Sequence, residues 1–316
     1  MFVFTIYRNE NTLVVNLPKR IRFNDIFMAN MDRLMYKSLC LSNINTISIR
    51  CSDSIDYDKM SQAYIINVLS FINKQSNKKV FINVAFKNLI RNKVKTRRGE
   101  NYKKETDIDR LAKDQSLEYY CFSGKESTDE PIKHVSSLLV ESTISFDTGQ
   151  IYDFLNTTIG EIFSNSRNHS DQEEVFFSSF VQKDEDNETY LYVSIIDYGT
   201  TIISNVRSFL NKKYLQGNEC IFWAIQPSHT TRRGSGGHGL PMLINYLKAI
   251  KGDLYIFSGD AYYTLINGEI ENTKKISDGI FLGTSVAFRV KLSNKVFVFM
   301  SDDGDNKVDS ISLDNI

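Results

Sequence analysis

The chain has few of the features that would settle a compartment or a partner at once. Its four cysteines, Cys40, Cys51, Cys121 and Cys220, stand far apart, with no Cys-x-x-Cys pair. That argues against a zinc ribbon or a disulfide framework, and reduced thiols in a cytoplasmic protein are expected. Net charge is absent, because 38 basic side chains balance 38 acidic ones. A partner drawn in by the field of the whole protein, such as duplex DNA, is therefore not implied, although a local patch can still act. No apolar stretch approaches the roughly 20 residues of a membrane-crossing helix. The opening MFVFTIYRNE has no basic leader region and only a strand-sized apolar run, so no secretory signal is expected. No internal repeat is evident.

What is present suffices for a sizeable core. The 316 residues are 41% hydrophobic and 24% charged, which suggests two domains of α/β (α+β) class. Residues 1–125 read as a small α/β domain. Phe2–Tyr7 and Thr12–Leu17 are β-rich runs split by Asn9-Glu10-Asn11, as in a hairpin. Phe23–Leu41 sets Ile26, Phe27, Asn30, Leu34 and Leu41 near helical spacing, with Asn24 as N-cap. A strand at Thr46–Ile49, a helix at Asp58–Asn73 and a strand at Val80–Phe86 complete the order ββαβαβ. Lys87–Lys104 is basic, but no aromatic series interleaves with its charges. A solvated surface is expected there, ahead of nucleic-acid binding.

Residues 126–300 read as a second domain, followed by an acidic, frayed tail at 301–316. Helices are expected around Ile132–Val140, at Asp153–His169 and at Pro241–Lys251. Strands are expected at Glu118–Phe122, ahead of the boundary, then at Val175–Val181, Tyr190–Ile196, Asp253–Ser258, Tyr262–Ile266 and Ser285–Lys291. The stretch between Tyr190–Ile196 and the glycine-rich loop reads as irregular.

Four stretches carry chemistry. In DFLNTTIGEIFSNSRNHS, Glu161, Asn165 and His169 stand at i, i+4 and i+8 on one polar helix face. An amide oxygen is a hard ligand suited to Mg²⁺, and a carboxylate can orient or deprotonate water near a phosphate. In YVSIIDYGTTI, an apolar strand runs into Asp197, with Gly199 two residues on. Such a carboxylate can accept a hydrogen bond from an amino group. In TTRRGSGGHGLPM, Gly234, Gly236, Gly237 and Gly239 lead into a helix, where N–H groups can cradle an anion. No Lys-Ser/Thr follows these glycines, so this is not a P-loop. In FLGTSVAFRVKL, Gly283-Thr284 opens a strand. Each stretch alone has an ordinary structural reading as a solvated face, a turn, a surface loop or a strand junction.

In this order, the four stretches resemble the boxes of the GHKL superfamily of ATP-binding domains, which includes gyrase B, Hsp90, histidine kinases and MutL. The resemblance covers close to half the chain. It implies a two-layer α/β sandwich of the GHKL (Bergerat) type that binds ATP and Mg²⁺. Asn165 would be the Mg²⁺ ligand and Glu161 the residue positioning water. Asp197 would meet the adenine amino group, with Gly199 allowing close packing. Gly234, Gly236, Gly237, His238, Gly239 and Leu240 would belong to the lid over the phosphates, and Thr284 would hold the adenine through water. His169 would lie near the phosphates, or else be a core histidine. The chain departs from the family at the second glycine of the Asp-x-Gly-x-Gly box, where Thr201 stands.

The resemblance leaves the use of ATP open. An ATPase acting as a bacterial regulatory switch is the first reading. A Ser/Thr kinase of the anti-sigma-factor type is the second, since residues 1–125 resemble STAS-like domains in strand and helix order. An ATP-dependent binding module with little turnover is the third. His134 lacks the acidic neighbour of a histidine-kinase phosphoacceptor, and the chain given ends too soon after Lys291 for a transducer domain. A protein partner, possession of a STAS-like target and homodimerisation are implied by analogy alone.

Overall fold

The computed structural model describes residues 4–52, 56–76, 78–83, 105–107, 120–124, 135, 158–166, 175–183, 188–231, 237–275, 281–292, 296–300 and 308–312. The basic stretch Lys87–Lys104 falls outside them, and of Ile132–Val140 only Val135 is described, as helical. Helices and strands intermix along the chain, and the sheets include parallel and antiparallel pairs, an α+β architecture. The chain divides into two compact units, residues 1–121 with 277–279, and residues 122–276 with 280–316. No described helix is long and apolar enough to cross a membrane.

In the first unit, β1 (Thr5–Asn9) and β2 (Thr12–Asn16) form an antiparallel hairpin. Its two-residue turn needs left-handed backbone, which Glu10 adopts at φ 51°. After the two-residue strand β3 (Arg20–Ile21) comes α1 (Asp25–Cys40). Asn24 caps α1, its side chain accepting from the Phe27 N–H at 2.9 Å. Next are β4 (Thr46–Arg50), β5 (Asp56–Tyr57), α2 (Lys59–Gln75) and β6 (Lys79–Asn83). β2, β4 and β6 run parallel, so crossovers are required, and α1 and α2 supply them. β7 (Glu105–Asp107) closes the order β1-β2-β4-β6-β7. Of the residues set at helical spacing in α1, Phe27 and Leu34 are buried together with Met28, Met31 and Met35, whereas Ile26 is exposed. Asn30 is buried because it accepts from the Phe4 N–H and donates to the Ile26 carbonyl.

The second unit is built on a seven-stranded sheet, β13-β12-β11-β14-β10-β9-β8. In chain order these are β8 (Tyr120–Gly124), β9 (Val175–Lys183), β10 (Thr189–Asp197), β11 (Asp253–Gly259), β12 (Ala261–Ile266), β13 (Glu269–Lys275) and β14 (Phe281–Lys291). The central strands β10, β14 and β11 pair antiparallel and are almost wholly buried. Residues 158–166 form a helix, α3, whose Ile159, Ile162 and Phe163 are buried. The stretch expected to be irregular instead holds α4 (Ile202–Phe209) and α5 (Gly217–Ala224). Each is eight residues long and depends on its cap and on packing against β11 or β12, so hydrophobic period alone does not reveal it. α6 (Gly239–Ala249) packs on β11. The tail expected to be frayed contains β16 (Val308–Ser312), paired antiparallel with β15 (Val296–Met300).

Candidate functional site

Asp197 ends β10, directly opposite Thr284 on β14. Its side chain is buried at 2% exposure. Burial pushes its pKa up to about 7, opposed by hydrogen bonds from the Gly199 N–H, the Thr284 N–H and the Ser166 side chain. The Gly199 N–H lies 3.2 Å from Asp197 Oδ1. Gly283 makes this junction sterically feasible. Its φ is +118°, and a Cβ there would stand 2.1 Å from the Asp197 carbonyl oxygen. Ser258 on β11 braces the same corner. Its Oγ accepts from the Ile202 N–H at 2.9 Å, donates to the Gly283 carbonyl at 3.1 Å and lies 3.0 Å from Thr284 Oγ1.

A cavity opens in front of this corner, with about 780 Å³ of atom-free space counting the part open to solvent. Asp197, Thr284 and Val286 form its sheet wall, and Ile162, Asn165 and Ser166 of α3 form a second. Ile202, Asn205 and Val206 of α4 form a third, and Gly237, Gly239, Leu240 and Pro241 a fourth. The first N–H groups of a helix have no partner within it. In α6 these belong to Gly239 and Leu240, since Pro241 has none.

The remaining wall is Trp223 and Ala224 of α5 with His229, Thr230 and Thr231. His229 stacks on Trp223 with ring centroids 4.6 Å apart, and its Nδ1 lies 2.8 Å from the Trp223 carbonyl oxygen. Gly237 takes φ +81° against this wall, where a Cβ would stand 2.3 Å from the His229 carbonyl oxygen.

Of the residues singled out from sequence, Asn165, Asp197, Gly237, Gly239, Leu240 and Thr284 line this one cavity. Gly199 does not line it but holds the Asp197 carboxyl. Glu161 is also absent from the lining. Its carboxyl lies against Gly239, where a Cβ would come within 3.0 Å of Glu161 Cδ. His238 is exposed at the N-cap of α6 and does not line the cavity. His169, Gly234 and Gly236 lie outside the described residues. Thr201 caps α4 at φ −72°, accepting from the Ser204 N–H at 3.0 Å, so its backbone has no need of glycine. Sequence reading missed Ser166, Ser258, Asn205, Trp223 and His229. The one available signal was that Trp223 is the chain's only tryptophan, close before the glycine loop.

The described part of the site therefore offers a buried carboxyl, an amide and helix-start N–H groups around one cleft. No group of three or more His, Cys, Asp or Glu among the described residues is placed to hold a metal ion. Among the described lining residues, Asn165 and Asn205 carry amide oxygens and Asp197 a carboxyl, the hard ligands that an oxygen-seeking cation would use. No protein-family model matches the chain, and no curated protein matches it.

Proposed function

We propose that the second unit is a GHKL-type two-layer domain that binds Mg²⁺-ATP in this cavity, and that the protein is an ATPase acting as a bacterial regulatory switch. One observation carries the reading: residues from four separate stretches of sequence, Asn165, Asp197, Gly237 with Gly239 and Leu240, and Thr284, line a single cleft. In this reading Asp197 accepts from the adenine amino group, with Thr284 beside it. The N–H groups at the start of α6 face the phosphates. Asn165 supplies the protein ligand to Mg²⁺, which neutralises phosphate charge when bound. Glu161 positions the attacking water.

A second reading, an ATP-dependent binding module with little turnover, is favoured by one observation. The Glu161 carboxyl lies against Gly239 and is not part of the cavity lining. ATP binding by calorimetry and phosphate release by the same preparation separate the two. The ATPase reading predicts turnover that falls at least about 100-fold in Glu161→Ala, as expected for loss of a positioned acid or base. Binding without Glu161-dependent turnover supports the module, and no binding removes both. The kinase reading and the STAS-like reading of the first unit rest on the order of strands and helices. Transfer of labelled phosphate to a STAS-like protein is the result they require.

A further inference from the structure

Asp197 and His229 are the only titratable side chains among the described residues that line the cavity. One comes from the sheet, the other from the segment after α5. The histidine is held on several sides. Its Nδ1 is 2.8 Å from the Trp223 carbonyl oxygen. A carbonyl only accepts, so Nδ1 carries the proton and Nε2 is the ring's remaining polar atom. The ring stacks on Trp223 at an interplanar angle of 27°, and Trp223 packs on Phe209 with centroids 5.7 Å apart. The neighbouring backbone is tied to the glycine segment, because the Ser228 N–H donates to the Gly237 carbonyl at 3.2 Å. His229 therefore stands beside the stretch that leads into α6. Among the described residues, the charged side chains that line an outer cleft with it are Lys212 and Glu219. The Glu219 carboxylate already accepts from the Gln216 N–H at 2.8 Å.

We propose that His229 is the side chain through which this cavity grips the phosphate end of its nucleotide, with Trp223 as the platform that holds the ring. As an imidazolium, it keeps Nδ1–H on the Trp223 carbonyl and turns Nε2–H to a phosphate oxygen, taking one proton from water on binding. This inference rests on the nucleotide-binding reading above and adds a residue outside the four stretches that carry the resemblance.

The test is equilibrium dialysis of wild type, His229→Ala, His229→Gln and His229→Lys with labelled ATP and labelled adenosine. His229→Ala is expected to lose about tenfold in ATP affinity, the scale of one hydrogen bond to a charged group, while adenosine affinity stays within about twofold. His229→Lys recovers most of the loss because it restores a cation. His229→Gln, which keeps an amide near the Trp223 carbonyl without the charge, does not. Trp223, the chain's only tryptophan, changes its fluorescence more on adding ATP than on adding adenosine. Equal losses for ATP and adenosine, or no loss for either, overturn the proposal and leave nucleotide binding standing. If wild type binds neither ligand, the nucleotide reading falls and the proposal falls with it. A variant that fails to fold, judged by circular dichroism, is replaced by the other two, whose ATP-to-adenosine ratios decide the same question.

Discussion

A carboxyl group held away from water is easier to protonate, and Asp197 is such a group, with a pKa pushed from 3.8 to about 7 chiefly by burial. The folded state therefore binds more protons than the unfolded state between about pH 4 and about pH 7. The stability that Asp197 contributes is fully present at the acid end and is lost as pH rises through about 7. The size of the rise bounds the loss at about 4 kcal/mol. Asp197→Asn carries no charge at any pH, so its unfolding free energy should fall less than that of wild type across this window. Urea titrations at a series of pH values check this, and parallel profiles would refute it. Gly283 gives a second expectation at the same corner. Gly283→Ala combines a left-handed φ of +118° with a Cβ at 2.1 Å from the Asp197 carbonyl oxygen. It should cost at least about 1–3 kcal/mol by denaturant unfolding, and ATP affinity should fall with it.

At the scale of elements, legibility tracked length and capping. α1 and α2 were readable because each runs for four or more turns and begins behind a capping Asn24 or Asp58. α4 and α5 were not, since an eight-residue helix shows little more than two turns of periodicity. β13 is a polar edge strand with Ile270 exposed, so burial pattern was silent there. Its one signal was Asn267-Gly268, both with positive φ, the usual two-residue hairpin turn. The site divided in the same way. Asn165, Asp197, the glycine segment and Thr284 carry chemistry that residue type and spacing reveal. Ser166, Ser258 and His229 meet those residues across the fold, and Trp223 shares the cavity wall with them; sequence alone places no such neighbours. Thr201 shows how a departure from a motif gains meaning from its element. With α4 starting there, Thr201→Ala should cost about 1 kcal/mol and Thr201→Gly only a few tenths, because glycine also tolerates the cap position. Equilibrium unfolding of the two variants distinguishes this from a loop role, in which glycine would be the better residue.

For the whole molecule, the division into two units makes ligand effects separable. Every residue that lines the cavity belongs to the second unit. A ligand that binds only the folded state stabilises it by about 2.7 kcal/mol at 100 times its Kd, and that free energy appears where opening would expose the site. Amide hydrogen exchange measured with and without saturating ATP is therefore expected to slow at Asp197–Gly199, at Thr284 and across the first turn of α6. The amides of α1 and α2 should slow far less, since local openings in the first unit leave the cavity intact. Protection confined to the second unit would make ATP a local ligand, and any switch would then have to work through what the second unit presents to a partner. Equal protection in α1 and α2 would mean that the two units open together, and would put the first unit inside the switch itself.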